Sequence, residues 1–230
     1  MSRLAIIPAR GGSKRIPLKN IRPFLGKPII GYAIAAALDS QLFDEVMVST
    51  DDDGIAQTAR SLGATVPFPR SGEASGDTAT TYTAIAEVLG KYEDRGTIFD
   101  EVCCLYATSP FVTPNLLSRG LQVLREQTFD SVFPVVRYGF PVQRGLTLDD
   151  SGKMSLLAPE HVNTRSQDLP PTYHDAGMFY WFRPEPILTA RRLWTSHSGC
   201  LPIDEMEAQD IDTETDWKLA ELKYQLLRNG

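Results

Sequence analysis

The chain has 230 residues, 42% of them hydrophobic, and a formal net charge of −6. That length and apolar content suffice for one sizeable core, a single domain over 1–230, while the acidic balance argues against nucleic acid or an anionic membrane as partner, since either favours a basic face. Cys103, Cys104 and Cys200 form neither a paired framework nor a CxxC spacing, so reduced thiols in a cytoplasmic protein are expected; no apolar run reaches the ~20 residues of a membrane span, and charge, glycine and proline interrupt the first residues too early for a secretory signal.

Leu4 to Ile7 is a continuous apolar run ended by Pro8, the pattern of a buried parallel strand. It delivers the stretch Ala9 to Asn20, ARGGSKRIPLKN. Between Ala9 and Lys27 stand Arg10, Lys14, Arg15, Lys19, Arg22 and Lys27 and no acid, although the chain as a whole is acidic. Gly11 and Gly12 lack a Cβ and let backbone N–H groups turn toward a ligand, so the stretch reads as a phosphate cradle. A solvated basic loop is the plainer alternative. Roughly twenty residues separate this strand from the next helical pattern, against ~2–6 for an ordinary strand-to-helix connection, and connections that long are usually functional or disordered.

Pro28 stands at a first helical position, with Ile30, Ile34, Ala37 and Leu38 on one face through Ser40. Glu45 to Ser49 is the second strand, and Thr50 to Asp53 offers caps for a helix from Gly54 to Leu62, ended by Gly63. Pro67 and Pro69 make Ala64 to Arg70 an edge strand or loop. Asp77 is expected to N-cap a helix carrying Tyr82, Ile85, Ala86 and Leu89 on one face. Glu101 to Tyr106 is the third clear strand, and Ala107 to Pro110 place small hydroxyl side chains at its carboxyl end, where ligands bind in open α/β sheets. A helix over Pro114 to Glu126 and a strand over Ser131 to Val136 follow. From 137 to 175 the pattern degrades into an excursion from the main sheet. Gly177 to Phe182 returns as an aromatic strand, Pro184 to Arg192 is a loop or short helix, and Asp210 to Trp217 leads into a helix to Leu227 with Trp217, Ala220, Tyr224 and Leu227 on one face. Alternating strands and helices make this an α/β fold with a mostly parallel sheet.

The cradle has neither the spacing of a P-loop nor that of a Rossmann dinucleotide site. Arg10, fixed just after the strand, can meet phosphate in a bidentate contact, while Lys14 and Lys19 offer point charges to a triphosphate tail. Asp210 and Asp212 alternate in I-D-I-D-T, so in extended backbone both carboxylates project to one side and suit Mg²⁺ with hard oxygen ligands. The alternative is that one of them caps the last helix beside Thr213. His174 is a lone histidine, a residue more often found packing or hydrogen bonding than acting as a base. Phe179, Tyr180 and Trp181 read as core, and Tyr173 fits core or a ligand-facing platform equally.

Together ARGGSKRIPLKN, VSTDDDGIA (Val48 to Ala56), SGDTATT (Ser75 to Thr81), the ATSP turn and the terminal DIDTETDW resemble the acylneuraminate cytidylyltransferase family, whose members make CMP-activated nonulosonic acids. The motifs span nearly the whole chain in the family's order. The short length and the run NTRSQDLPPTYHDAGMFYWF resemble the pseudaminic acid branch more than the sialic acid enzymes. Where sialic acid members have Gln-Pro before the turn, this chain has Tyr106 and Ala107; where they carry Asn before Ala or Gly, it has His174 and Asp175, which points to a different sugar.

The resemblance implies a three-layer, Rossmann-like nucleotidyltransferase fold, a Mg²⁺ requirement, and a homodimer in which the 137–175 segment reaches the partner. It implies that Ala9, Arg10, Gly11, Gly12 and Ser13 wrap cytosine, ribose and phosphates, with Arg10 and Lys19 on the triphosphate and Asn20 near the ribose. Arg70, Asp77 and Thr80 would finish the nucleotide pocket, and Asp210 and Asp212 would hold the metal. On the sugar side it places Arg165 by the carboxylate, with Gln167, Tyr173, His174 and Asp175 about the ring. The expected reaction is attack of the sugar's anomeric hydroxyl on the α-phosphorus of CTP, with pyrophosphate released. Legionaminic, sialic or Kdo acid as acceptor, a sugar phosphate as acceptor, and a non-catalytic nucleotide-binding protein are the rival readings.

Overall fold

The computed structural model describes residues 1–76 and 78–229. Strand β1 (Arg3–Pro8) carries the apolar run into the centre of the molecule, with Leu4, Ala5, Ile6 and Ile7 fully buried. The long connection after it is ordered rather than irregular: a single turn over Lys19–Ile21 and a small hairpin, β2 (Pro23–Phe24) and β3 (Lys27–Pro28), precede α1 (Ile30–Ser40). Pro28 therefore closes a strand and does not start the helix. Ile30, Ala33, Ile34, Ala36 and Ala37 form its buried face, whereas Leu38, expected in that stripe, is exposed.

Strand β4 (Glu45–Ser49) leads to α2 (Asp53–Ser61), whose first turn is capped by Asp52 accepting from the Ile55 N–H at 2.8 Å. The proline-bearing stretch after it is an edge loop that touches β4 through one bridge, Met47 to Thr65. A short helix unforeseen in the sequence, α3 (Gly72–Ser75), precedes α4 (Thr81–Glu93). The N-cap of α4 is Thr80, whose hydroxyl accepts from the Thr83 N–H at 3.2 Å; Asp77, the expected cap, lies outside the described residues. Strand β5 (Glu101–Leu105) is buried throughout, and α5 (Pro114–Glu126) starts at Thr113, the N-cap, with proline in the first turn.

Strand β6 (Ser131–Arg137) ends where the excursion begins. Within it the ribbon β7 (Leu146–Leu148) and β8 (Met154–Leu156) stands off the main sheet. The chain returns through β9 (Tyr173–Asp175) and β10 (Phe179–Phe182), then α6 (Pro184–Ala190), β11 (Ser198–Ile203) and α7 (Glu214–Asn229). Strand β11 carries Gly199 and Pro202, which hide it in sequence; among the described residues it pairs with β6 alone, so the proline sits on a sheet edge.

The main sheet runs β11-β6-β10-β5-β1-β4, with β9 also on β6. Strands β1, β4, β5, β6 and β11 are parallel, while β9 and β10 run the other way. That reversal has a simple cause: β9 and β10 enter from the excursion at the carboxyl edge of the sheet, with no helix to carry the chain back first. Alternation along the strands splits the core into two layers. Ala5, Cys103 and Trp181 face the α1, α5 and α7 side, and Leu4, Cys104 and Phe182 face the α4 and α6 side. Trp217 and Ala220 bury the start of α7, but Leu227, expected on the same stripe, is exposed because the last turns run past the core. Among the described residues no helix is long and apolar enough to cross a membrane.

Candidate active site

The carboxyl ends of β1, β4, β5 and β6 share one edge, and the candidate residues gather there. The Ala9 N–H donates to the Ser49 carbonyl at 2.9 Å, extending the β1 ladder by one residue and fixing where Arg10 leaves the sheet. Asn20 Nδ2 donates to the Arg10 carbonyl at 2.9 Å, so the far end of the cradle is clipped back onto its start. Leu18, in the left-handed region at φ 51°, turns the chain into this clip. Arg10 Nη1 reaches the Gly76 carbonyl at 3.3 Å, across a cavity of about 500 Å³.

Arg10, Ser13, Lys19, Asn20, Arg70 and Thr80 all line that cavity. Lys14, Arg15 and Tyr106 join them. Arg70 is buried; its Nε donates to Ser49 Oγ at 3.0 Å and its backbone N–H to the Thr50 carbonyl at 2.9 Å. Burial pulls its guanidinium below the ordinary value, against the attraction of Asp51 and Glu87.

The two cradle glycines differ. Gly11 donates its N–H to Asp51 Oδ1 at 3.0 Å, and a Cβ there would lie 2.9 Å from the Asp52 Cβ. Its N–H is thus committed inside the protein, which corrects the expectation that both glycines offer theirs to a ligand. Gly12 has nothing within 4 Å of its Cβ position. Ala9, Gly11 and Gly12 do not line the cavity, and Ala9 is buried in the core.

The acidic segment is brought to the cradle by packing. Phe24, fully buried, meets Trp217 and Tyr224 of α7 edge-on with centroids 5.6 Å away from each, and the Arg22 guanidinium lies 4.5 Å over the Trp217 ring. Ile211 is buried between the two aspartates, so Asp210 and Asp212 turn out of the core as the alternation predicts. Lys19 Nζ donates to the Ile211 carbonyl at 2.7 Å and lies 3.5 Å from Asp212, which also pairs with Arg15 at 2.8 Å. Neither aspartate caps α7. Thr213 Oγ1 accepts from the Asp216 N–H at 3.2 Å while Asp216 accepts from Thr213, which settles the alternative raised for the pair. Loss of hydration and the like charge of Asp212 push the Asp210 carboxyl above its ordinary range, with Lys19 opposing.

Asp210 lines a second cavity, of about 310 Å³, together with Arg137, His174, Asp175 and Lys223. Asp175 accepts from the Tyr180 hydroxyl and from the Gly177 N–H at 2.8 Å. Burial raises the pKa of the Tyr180 phenol, as it does that of Tyr106 beside it. His174 Nδ1 is 2.9 Å from the Asp175 carbonyl, and its ring lies 4.9 Å from that of Tyr138. Gln167 lines an adjoining cavity of about 530 Å³ that shares Arg137 and Tyr138. Arg165 is exposed on the excursion and lines neither cavity; Tyr173 is exposed on β9 opposite Arg137. Of the sugar-side residues, then, His174 and Asp175 join Asp210, and Arg165, Gln167 and Tyr173 do not. Arg137 was missed in the sequence because it closes an apolar strand, and nothing local separates it from an ordinary strand-end cation.

The family described as Cytidylyltransferase matches residues 4–220. A pseudaminic acid cytidylyltransferase of Campylobacter jejuni is 38% identical over 226 residues, covering 98% of this chain and 97% of that protein. A CMP-N,N'-diacetyllegionaminic acid synthase of Legionella pneumophila is 34% identical over 230 residues, covering 97% and 96%. Among solved structures, CMP:2-keto-3-deoxy-manno-octonic acid synthetase complexed with CTP superimposes over 100% of both chains with TM-score 0.71 at 18% identity, a likeness of fold. Matched by that family over most of its length and by relatives of this identity end to end, the chain belongs to the cytidylyltransferase family.

Proposed function

We propose that this enzyme transfers CMP from CTP to the anomeric hydroxyl of a nonulosonic acid, pseudaminic acid in the first place, releasing pyrophosphate. The observation that carries the reading is the junction made by Lys19. It holds a cavity lined by cations against the Asp210–Asp212 segment, so a nucleotide triphosphate and a metal-binding acid pair belong to one site. End-to-end similarity to the Campylobacter pseudaminic acid enzyme supports the choice of sugar.

In this scheme Arg10, Lys14 and Lys19 neutralise the triphosphate, and the buried Arg70 with Thr80 and Asn20 holds the nucleoside. The sugar enters the second cavity, where His174 and Asp175 orient it toward the α-phosphorus. Its hydroxyl oxygen forms the new P–O bond, the bond from the α-phosphorus to the bridging oxygen breaks and that oxygen leaves with pyrophosphate, and the hydroxyl proton passes to solvent water. Asp210 and Asp212 fit Mg²⁺: both offer hard oxygens, and loss of hydration together with the like charge of Asp212 raises the Asp210 carboxyl, a cost that a bound cation would offset. Held by Asp210 and Asp212, a Mg²⁺ ion would add to the charge neutralisation that the cradle cations give the triphosphate. Among the described residues no cluster of three or more potential metal-binding side chains occurs, so Asp210 and Asp212 are the side chains that would hold the ion.

The excursion's exposed Phe140, Leu146, Leu148 and Met154 support a homodimer formed through that segment, which light scattering after gel filtration tests. Three free thiols, two of them buried, fit a reducing cytoplasm. To test the reaction, the protein is incubated with CTP, Mg²⁺ and pseudaminic, legionaminic, sialic or Kdo acid in turn, and pyrophosphate is assayed. Release with pseudaminic acid supports the proposal; turnover with sialic acid alone overturns the assignment of the sugar.

A further inference from the structure

We infer that Arg137, at the carboxyl end of β6, binds the carboxylate of the acid sugar. The inference rests on the function proposed above and names the residue that makes a sugar acid the acceptor. In a 2-keto sugar acid the carboxylate is bonded to the anomeric carbon, so it must sit beside the hydroxyl that attacks and therefore close to Asp210. The cavity that holds Asp210 also carries Asp175 and Glu205. Their charges repel a carboxylate unless a cation meets it there.

Two cations line that cavity, Arg137 and Lys223. Lys223 is committed: its Nζ donates to the Glu205 and Ala208 carbonyls, each at 3.0 Å, and ties the turn before the acidic segment to α7. The Arg137 side chain is exposed at the mouth of the cavity, and its guanidinium has no hydrogen-bond or ion-pair partner among the described residues. Its position is fixed by the sheet, since Arg137 pairs in register with Tyr173 and Val136 with His174. The planar fork of a guanidinium accepts both oxygens of a carboxylate at once. Arg165, which the family resemblance placed near the carboxylate, is exposed like Arg137 but lines neither cavity, whereas Arg137 lines both.

The test is steady-state kinetics of the full chain with CTP and Mg²⁺, varying pseudaminic acid and then CTP, for wild type, Arg137→Gln, Arg137→Lys and Arg165→Gln. Loss of a charge-assisted pair predicts a rise of about 10- to 100-fold in KM for the sugar in Arg137→Gln. KM for CTP stays within about twofold, which also reports that the variant is folded. Arg137→Lys, keeping the charge without the fork, falls between wild type and Arg137→Gln, and Arg165→Gln stays within about threefold. An active wild type with an unmoved sugar KM in Arg137→Gln overturns this assignment alone, as does an equal rise in KM for CTP or a large sugar effect confined to Arg165→Gln. A wild type inactive on every nonulosonic acid overturns the proposed function and this assignment together.

Discussion

Gly11→Ala and Gly12→Ala form a paired experiment in which neighbouring residues give opposite results. A methyl at position 11 would stand 2.9 Å from both the Cβ and Oδ2 of Asp52, closer than packed carbon atoms come, so Asp52 must move. Asp52 caps α2 through the Ile55 N–H, and losing such a cap costs about 1 kcal/mol. The Gly11 N–H bond to Asp51, strained by the same shift, contributes about another 1 kcal/mol. Removing a glycine stiffens the unfolded chain and returns about 0.5 kcal/mol, leaving a net loss of about 1.5 kcal/mol. For a chain of this size that lowers Tm by about 3–6 °C. At Gly12 the added methyl meets nothing within 4 Å, so Tm holds or rises by a degree or two. If the loop backbone meets the triphosphate, the same methyl stands in the way and raises KM for CTP about tenfold. Differential scanning calorimetry of both variants and CTP saturation curves make the measurement. A Gly11→Ala protein melting within 1 °C of wild type refutes the packing argument, and an unchanged CTP curve in Gly12→Ala removes that residue from the phosphate site.

Arg10→Ala is expected to lower kcat/KM by at least about 10²-fold while Tm moves little, since Arg10 lines the cavity and lies outside both layers of the hydrophobic core; near-normal turnover would take it out of the mechanism. Lys19→Met removes both a substrate cation and the bond to Ile211, so kcat and Tm fall together; a lower Tm with full activity at 20 °C would leave Lys19 a purely structural role. In metal-free protein the raised Asp210 carboxyl means the folded state holds that proton more tightly than the unfolded chain. Its stabilising share is present at pH below the ordinary carboxylate range and is lost as pH rises through the raised value. Asp210→Asn should therefore melt higher than wild type at neutral pH in chelator, and no longer gain stability on adding Mg²⁺; a Tm that still climbs with Mg²⁺ places the metal elsewhere.

Much of this molecule follows from local pattern. The apolar runs of β1, β4 and β5 are buried on both faces and read as continuous hydrophobic stretches, and α5 announces itself through Thr113, Pro114 and a leucine face. The concentration of cations after β1 pointed to the cavity that Arg10, Lys14, Arg15 and Lys19 line, because charge of one sign in so short a stretch needs a counter-charge. The alternation about Ile211 placed both aspartates outward because a strand-like segment repeats every two residues.

What tertiary structure decided is everything that depends on distant segments meeting. No local rule says that Phe24 docks on Trp217, yet that contact carries the cradle to the acidic segment and lets Lys19 reach Ile211. The reversed direction of β9 and β10 depends on where the excursion re-enters the sheet, and the edge strand β11 was hidden by Gly199 and Pro202. The difference between Gly11 and Gly12 lies in Asp51 and Asp52, some forty residues away. The same holds on the sugar side, where a strand-end arginine and not the arginine of the resemblance lies in the cavity with Asp210. Residue types and their spacing set the chemistry available to this chain; the packing of its two ends determined which of those residues share a site.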